Sequence, residues 1–171
     1  MGENGRRDPD SKAQRDMNTA DFDSFFTERY TRASRFACAL LGAADAEDAV
    51  QDAFTRLLLR WNRCGSVVNL EAYFFRILYN VCRTRLRRRR FRQTVLALFR
   101  PPAAANPPGG EPDLSEVWRT FSPREQAVFC LVDYQGWPPE EAARALGMAP
   151  ATLRVHRHRL RQKIVQWEAR P

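Results

Sequence analysis

Lysine is nearly missing from this sequence. Lys12 and Lys163 stand alone among 28 cationic side chains, and the other 26 are arginine. Arginine suits bidentate contacts to phosphate and guanine, although a GC-rich genome yields the same bias without functional meaning. Long apolar runs are missing too. None approaches the eighteen or so residues a membrane span needs, and the first sixteen residues, MGENGRRDPDSKAQRD, hold no apolar signal core. The expectation is a cytoplasmic chain without membrane insertion. Metal-ligand spacing is absent as well. Cys38, Cys64, Cys82 and Cys130 form no CxxC pair, and His156 and His158 sit among arginines. No metal or other cofactor is expected, and the thiols read as reduced and mostly buried. No stretch alternates apolar and polar residues as a half-buried strand would, so the expected fold class is all-α.

What is present is positive charge and helical periodicity. The formal net charge is +8 with a pI near 10.0, which points to a polyanionic partner. Residues 1–20 are polar with Gly and Pro and read as a disordered tail. Residues 21–95 form a helical module. Its first helix runs from Asp21 to a stop at Gly42, its second from about Ala46 to Trp61, and its third from about Leu70 onward, with a loop over Asn62–Asn69. Residues 96–112 include RPPAAANPPGGEP, whose five prolines and two glycines read as a flexible tether. Residues 113–168 form a second helical module.

The second module has the grammar of a helix-turn-helix. In PPEEAARALGMAPATLRVHRHRLRQKI, Pro139 suits a first helical position, Glu140 and Glu141 favour the positive helix end, and Gly147 suits a left-handed stop. Pro150 then opens a helix carrying Arg154, Arg157, Arg159, Arg161 and Lys163, as a recognition helix in a major groove would. Upstream, Ser122 and Glu125 have capping-box spacing with Pro123 between them. Phe121, Val128, Phe129, Leu131, Val132 and Trp137 read as the supporting core.

The first module carries two sharper features. DAEDAVQDAF places Asp45, Asp48 and Asp52 on one helical face. Asp45 as a cap, with Glu47 and Asp48 in the first turn, would be ordinary helix chemistry, but Asp52 lies too deep. Carboxylates on a basic chain suggest a basic protein partner. The other feature is AYFFRILYN followed by RTRLRRRRFR, seven arginines in ten residues. A solvated face is the bland account of such a run.

Together these stretches resemble bacterial RNA polymerase sigma factors of the extracytoplasmic-function class, in the sigma-70 family. FDSFFTERYTRASRFACALLGAADAEDAVQDAFTRLLLRW and NLEAYFFRILYNVCRTRLRR are similar to sigma region 2, and FSPREQAVFCLVDYQGWPPEEAARALGMAPATLRVHRHRLRQKI to region 4. The resemblance implies a region 2 bundle of three to four helices and a region 4 helix-turn-helix domain. It implies that Asp45, Glu47, Asp48, Gln51 and Asp52 dock on the clamp helices of core RNA polymerase, and that the polymerase flap and promoter DNA are further partners. It implies that Tyr73, Phe75, Arg76, Asn80, Arg83 and Thr84 recognise and melt the −10 element, with Arg87 and Arg88 holding phosphates beside it. Aromatic faces stack unpaired bases and cations hold the backbone, while an amide such as Asn80 reads a base by donating and accepting. Phe74, Ile77 and Leu78 read as core. In region 4, Thr152, Arg154, His158, Arg159 and Arg161 take the −35 contacts. The family also implies a possible anti-sigma partner. One departure stands out: the apolar seam Leu153, Leu160, Ile164 is broken by Arg157, which must snorkel or shift the register.

Two alternatives compete. A helix-turn-helix regulator acting without core polymerase leaves the acidic and aromatic helices of the first module unexplained. A DNA-acting enzyme needs a nucleophile or a metal cage, and Ser24, Ser34 and Ser66 have no supporting constellation. The sequence therefore reads as a non-enzyme.

Overall fold

The computed structural model describes residues 19–97 and 114–169. The expected tail and most of the expected tether lie outside these residues. Among the described residues every regular element is helical, as expected of an all-α chain.

Helix α1, Thr19–Leu41, buries Ala33, Phe36, Ala37 and Leu40 on one stripe. Gly42 ends it with φ +84, a conformation that favours glycine, and the Gly42 N–H donates to the Cys38 carbonyl at 2.8 Å. Helix α2, Ala43–Leu58, follows at once. It buries Ala46, Ala49, Val50, Ala53, Phe54 and Leu57, the three-and-four spacing of a single core face. Gly42 holds its N-cap position without a side-chain bond, so Asp45 lies in the first turn and is not the cap expected. The helix also stops three residues short of Trp61. The segment expected as a loop forms a 3-10 turn over Trp61–Ser66 that buries Trp61 and Cys64.

Helix α3, Leu70–Ala97, starts where Asn69 Oδ1 accepts the Ala72 N–H at 2.8 Å, an N-cap bond. Its first half is core: Ala72, Phe74, Phe75, Leu78, Tyr79, Val81 and Cys82 are all buried. After Cys82 no described residue of α3 is buried. Full apolar burial thus anchors the first half, and beyond Cys82 the half-buried Leu86 still packs against the core while most of the arginines face outward.

In the second module, α4 (Leu114–Thr120) precedes α5 (Pro123–Val128), which opens with the full Ser122–Glu125 capping box and Pro123 in its first turn. The helix then widens into a π-helical turn over Phe129–Tyr134. Helix α6, Pro139–Leu146, ends at Gly147 in the left-handed region, and α7 spans Pro150–Glu168. Leu153 and Leu160 of α7 are fully buried.

The modules are not merely tethered. Phe75 of α3 meets Trp137 edge to face at 4.9 Å between centroids, and Arg32 of α1 lies over the same indole at 5.6 Å. Trp118 Nε1 donates to the Ala39 carbonyl at 3.2 Å, and Gln135 Nε2 to the Arg32 carbonyl at 3.3 Å. Asn69 Nδ2 donates to Glu141 Oε2 at 3.2 Å. One hydrophobic core runs through both modules, and burial of an aromatic such as Phe75 stabilises it by about 1.5–3 kcal/mol.

Candidate protein and nucleic-acid interfaces

The acidic face of α2 is on the surface. Asp45, Glu47, Asp48 and Gln51 are exposed and Asp52 is partly so. Gln51 Nε2 donates to Glu47 Oε1 at 3.2 Å. Arg56, one turn on, grips Asp52 with two bonds of 2.8 and 3.1 Å. Arg85 reaches across from α3: its guanidinium nitrogens lie 3.9 Å from carboxylate oxygens of Asp48 and of Asp52, and it donates to the Asp48 carbonyl at 3.2 Å. The Arg85 pairs are loose and the Arg56–Asp52 fork, though close, is exposed, and exposed pairs contribute about 0–1 kcal/mol. The face keeps its negative character.

Arg85 and Arg89 divide the arginine run. Spaced i, i+4, they continue the buried face of Val81 and Cys82 and turn back onto the bundle. Arg89 Nη1 donates to the Leu41 carbonyl at 3.4 Å. Arg83, Arg87, Arg88, Arg90 and Arg92 are exposed, and Arg89 is exposed as well despite its bond, so that Arg85 alone of the run's arginines is half-buried. The run is therefore two-faced, with one edge fastening α3 to α1 and α2 and the others open to a polyanion.

On the first half of α3, Tyr73 is half-buried and its hydroxyl accepts from Arg60 Nη1 at 3.4 Å. Arg76 is exposed beside Gly147, where a side chain would come within 3.7 Å of its Nε. Asn80 and Thr84 are exposed, the Thr84 hydroxyl donating to the Asn80 carbonyl at 2.9 Å. Tyr73, Arg76, Asn80, Arg83, Thr84 and Arg87 form one accessible stripe. Phe75 corrects the reading from sequence. It has no solvent exposure and is packed among Phe36, Phe74 and Trp137, so it serves as core and presents no face to a base. The core reading of Phe74 and Leu78 holds, and Ile77 is half-buried.

Thr152, Arg154, His158, Arg159 and Arg161 lie exposed along α7. Two other cations of that helix are tied down. Arg157 donates to Asp133 Oδ1 from Nε at 3.0 Å and from Nη2 at 2.7 Å. It neither snorkels to open solvent nor shifts the register, since Leu153 and Leu160 keep the seam. Lys163 Nζ donates to Glu125 Oε2 at 2.7 Å and to the Thr120 carbonyl at 2.9 Å, so it is structural. Burial would raise the Glu125 pKa, but the bonds from Lys163 and Ser122 outweigh it and hold the carboxyl below its ordinary value. Burial pushes the His156 imidazole down, with Arg124 and Arg159 adding to that and Glu125 opposing it.

Sequence reasoning missed Arg60, Asn69 and Asp133. Asn69 had a signal, an amide three residues before the N–H it caps. Arg60 and Asp133 act across the fold and had none. The thiols are free; Cys64, Cys82 and Cys130 are buried and Cys38 is exposed. Burial raises the Cys82 and Cys130 thiols to about 12, which leaves both protonated and poorly nucleophilic. Among the described residues no group of three or more His, Cys, Asp or Glu could hold a metal, and no helix is long and apolar enough to cross a membrane.

Sigma-70 region 2 matches residues 25–92 and Sigma-70 region 4 matches residues 119–164. The chain is 29% identical to the RNA polymerase sigma-E factor of Streptomyces coelicolor over 129 residues, covering 71% of this chain and 72% of that one. It is 28% identical to that of Streptomyces avermitilis over 119 residues, 67% of this chain and 66% of the other. Its fold is similar to the sigma factor RpoE in complex with the anti-sigma factor NepR from Bartonella quintana, with 25% identity, a TM-score of 0.68 and coverage of 86% and 96%. It also resembles in fold CnrH in complex with the cytosolic domain of CnrY, with 21% identity, a TM-score of 0.66 and coverage of 87% and 88%. With both regions matched in order on an all-helical fold, the chain belongs to the sigma-70 family as a sigma factor of the extracytoplasmic-function class, which acts with core RNA polymerase at promoter DNA.

Proposed function

We propose that this sigma factor divides its work among three surfaces. Asp45, Glu47, Asp48, Gln51 and Asp52 dock on the clamp helices of core polymerase, and region 4 meets its flap. Tyr73, Arg76, Asn80, Arg83 and Thr84 engage the −10 element, with Arg87 and Arg88 on flanking phosphates. Thr152, Arg154, His158, Arg159 and Arg161 engage the −35 element.

The observation that carries this reading is charge segregation. Helix α2 exposes its carboxylates together, while α7 carries no carboxylate from Pro150 to Lys163 and the outer half of α3 carries none from Arg83 to Ala97. Such sorting suits one basic protein partner and one polyanion. The protein acts without catalysis of its own, in the cytoplasm. An anti-sigma factor is a further partner, in keeping with the complex of RpoE with the anti-sigma factor NepR among its structural relatives.

Run-off transcription with core polymerase tests the assignment. Wild-type protein supports core-dependent transcripts, and the double change Asp48→Arg, Asp52→Arg removes them together with co-purification of core. Unchanged association of the double variant would refute the docking face.

A further inference from the structure

We propose that Asp133 is a positioning residue for the recognition helix. It withdraws Arg157, and in part Arg161, from the DNA phosphates, and so trades sequence-independent affinity for −35 discrimination. The proposal rests on the reading of α7 as the −35 helix.

The geometry begins in the backbone. After α5 the chain widens into the π-helical turn Phe129–Tyr134, and the Gln135 N–H donates to the Cys130 carbonyl at 3.1 Å, an i→i−5 bond. A π-turn accommodates one residue more than an α-turn, which re-aims the side chains that follow it, and such turns are frequent at functional sites. Here it brings the Asp133 carboxylate against α7. A single oxygen, Oδ1, takes Arg157 Nε at 3.0 Å and Nη2 at 2.7 Å, with Arg161 Nη2 at 3.5 Å. Arg157 and Arg161 lie one turn apart on α7, so one carboxylate spans both. The Asp133 side chain is only 18% exposed while Arg161 is 60% exposed. Arg157 is thus committed to the protein, and Arg161 is restrained but can reach outward.

The consequence is electrostatic. Each cation that neutralises a phosphate adds about 0.9 to the slope of log K against log salt, and such contacts carry no sequence information. A recognition helix with every cation free would grip any duplex. Asp133 removes one cation from that grip, weakens another, and holds the helix in one orientation relative to α5. Arg154, His158 and Arg159 are left to meet the groove.

The test uses full-length protein in holoenzyme with core polymerase, on promoter duplexes with an intact or scrambled −35 element at several salt concentrations. Asp133→Asn removes the charge but keeps the volume and an acceptor. The salt slope steepens by about 0.9–1.8, binding to the scrambled duplex tightens, and the intact-to-scrambled ratio falls roughly fivefold to tenfold, the loss of about one base contact. Asp133→Glu keeps the charge and restores most of the ratio, which a purely packing role would not do. In an Arg157→Leu background only Arg161 remains to be freed, so Asp133→Asn then steepens the slope by about 0.9 at most. Circular dichroism confirms that each variant is folded. A folded Asp133→Asn holoenzyme with unchanged slope and ratio, against a wild type that depends on the −35 element, would overturn the role of Asp133 alone. A wild type indifferent to the −35 element would overturn the reading of α7 and this role with it.

Discussion

The carboxylates of α2 and the cations of α7 each meet the opposite sign on a neighbouring element of the fold. The two pairings differ in kind. On α2, Arg85 stands 3.9 Å from Asp48 and Asp52, and the Asp48 side chain is 73% exposed. On α7, Asp133 and Glu125 meet Arg157 and Lys163 at 2.7 Å, and the Glu125 side chain is 5% exposed. Separation and burial decide the outcome, since a short, desolvated pair holds far more strongly than a wet one at the edge of contact. Asp45, Glu47 and Asp48 of α2 stay available to a partner, while Asp52 is shared with Arg56 of the same helix. The cations of α7 are sorted into a structural set, Arg157 and Lys163, and a free set, Arg154 and Arg159, with Arg161 restrained between them. Formal charge along a recognition helix therefore overstates what DNA can feel.

The largest break in this comparison comes from reversing the available charge. Asp48→Arg with Asp52→Arg should weaken association with core polymerase by at least about 3 kcal/mol, because like charges then face each other across the interface. Helicity should survive, since neither residue is buried. Fluorescence anisotropy of labelled protein titrated with core measures the first, and circular dichroism the second.

Removing a structural cation should act on folding instead. Lys163→Met leaves the Glu125 carboxylate without its main partner and should cost about 2 kcal/mol, discounted for the partial exposure of Lys163. The pH dependence carries the signature. The folded pKa of Glu125 is depressed, so its stabilising contribution is present above the ordinary carboxylate value of 4.5 and is lost as pH falls through the folded pKa. Denaturant melts across that acidic window should show a shallower loss in Lys163→Met than in wild type. An unchanged melt would return Lys163 to the DNA-binding set.

How far the sequence disclosed this arrangement depends on the range of each interaction. The Ser122–Glu125 box, the left-handed Gly147 and the prolines opening α6 and α7 are short-range devices, and each was legible. Phe75 was not. On α3 it sits beside aromatics that pack inward, and its other side is covered by Trp137, some sixty residues away in the chain. Periodicity cannot see a second layer of packing. Asp133 was hidden for a related reason, because the π-turn that aims it has no local code comparable to a cap or a proline. The split of the arginine run was half legible: Arg85 and Arg89 continue the spacing of the buried Val81 and Cys82, but the acceptors they find belong to α1 and α2.

A smaller effect separates reading from gripping on α3. Asn80→Ala should lower transcription through one −10 position, by about 1–3 kcal/mol of discrimination if the contact resembles amide–base readout in duplexes. Arg87→Ala with Arg88→Ala should leave base preference intact and flatten the salt slope by about 1.8. Transcription over a set of −10 variants at two salt concentrations distinguishes the two. Equal losses on every variant for Asn80→Ala would remove it from the readers.

The smallest expected effect is the most pointed, because it asks whether the arginine run has two faces. Arg85 lies within the run, yet it faces Asp48 and Asp52 and donates to the Asp48 carbonyl. Arg85→Ala should lower stability by under about 1 kcal/mol, as loose surface pairs do. It should also unmask Asp48, while Asp52 keeps Arg56, and so raise the association rate with core polymerase by a factor of about two, since exposed charge acts mainly on the encounter rate. The promoter salt slope should not move, because Arg85 is no part of the face turned to phosphate. Stopped-flow association with core, beside salt-dependent promoter binding, reads both quantities from one variant. If the slope fell by about 0.9, as for a lost phosphate contact, Arg85 would belong with Arg87 and Arg88, and the contacts that fasten α3 to α2 would yield when DNA arrives.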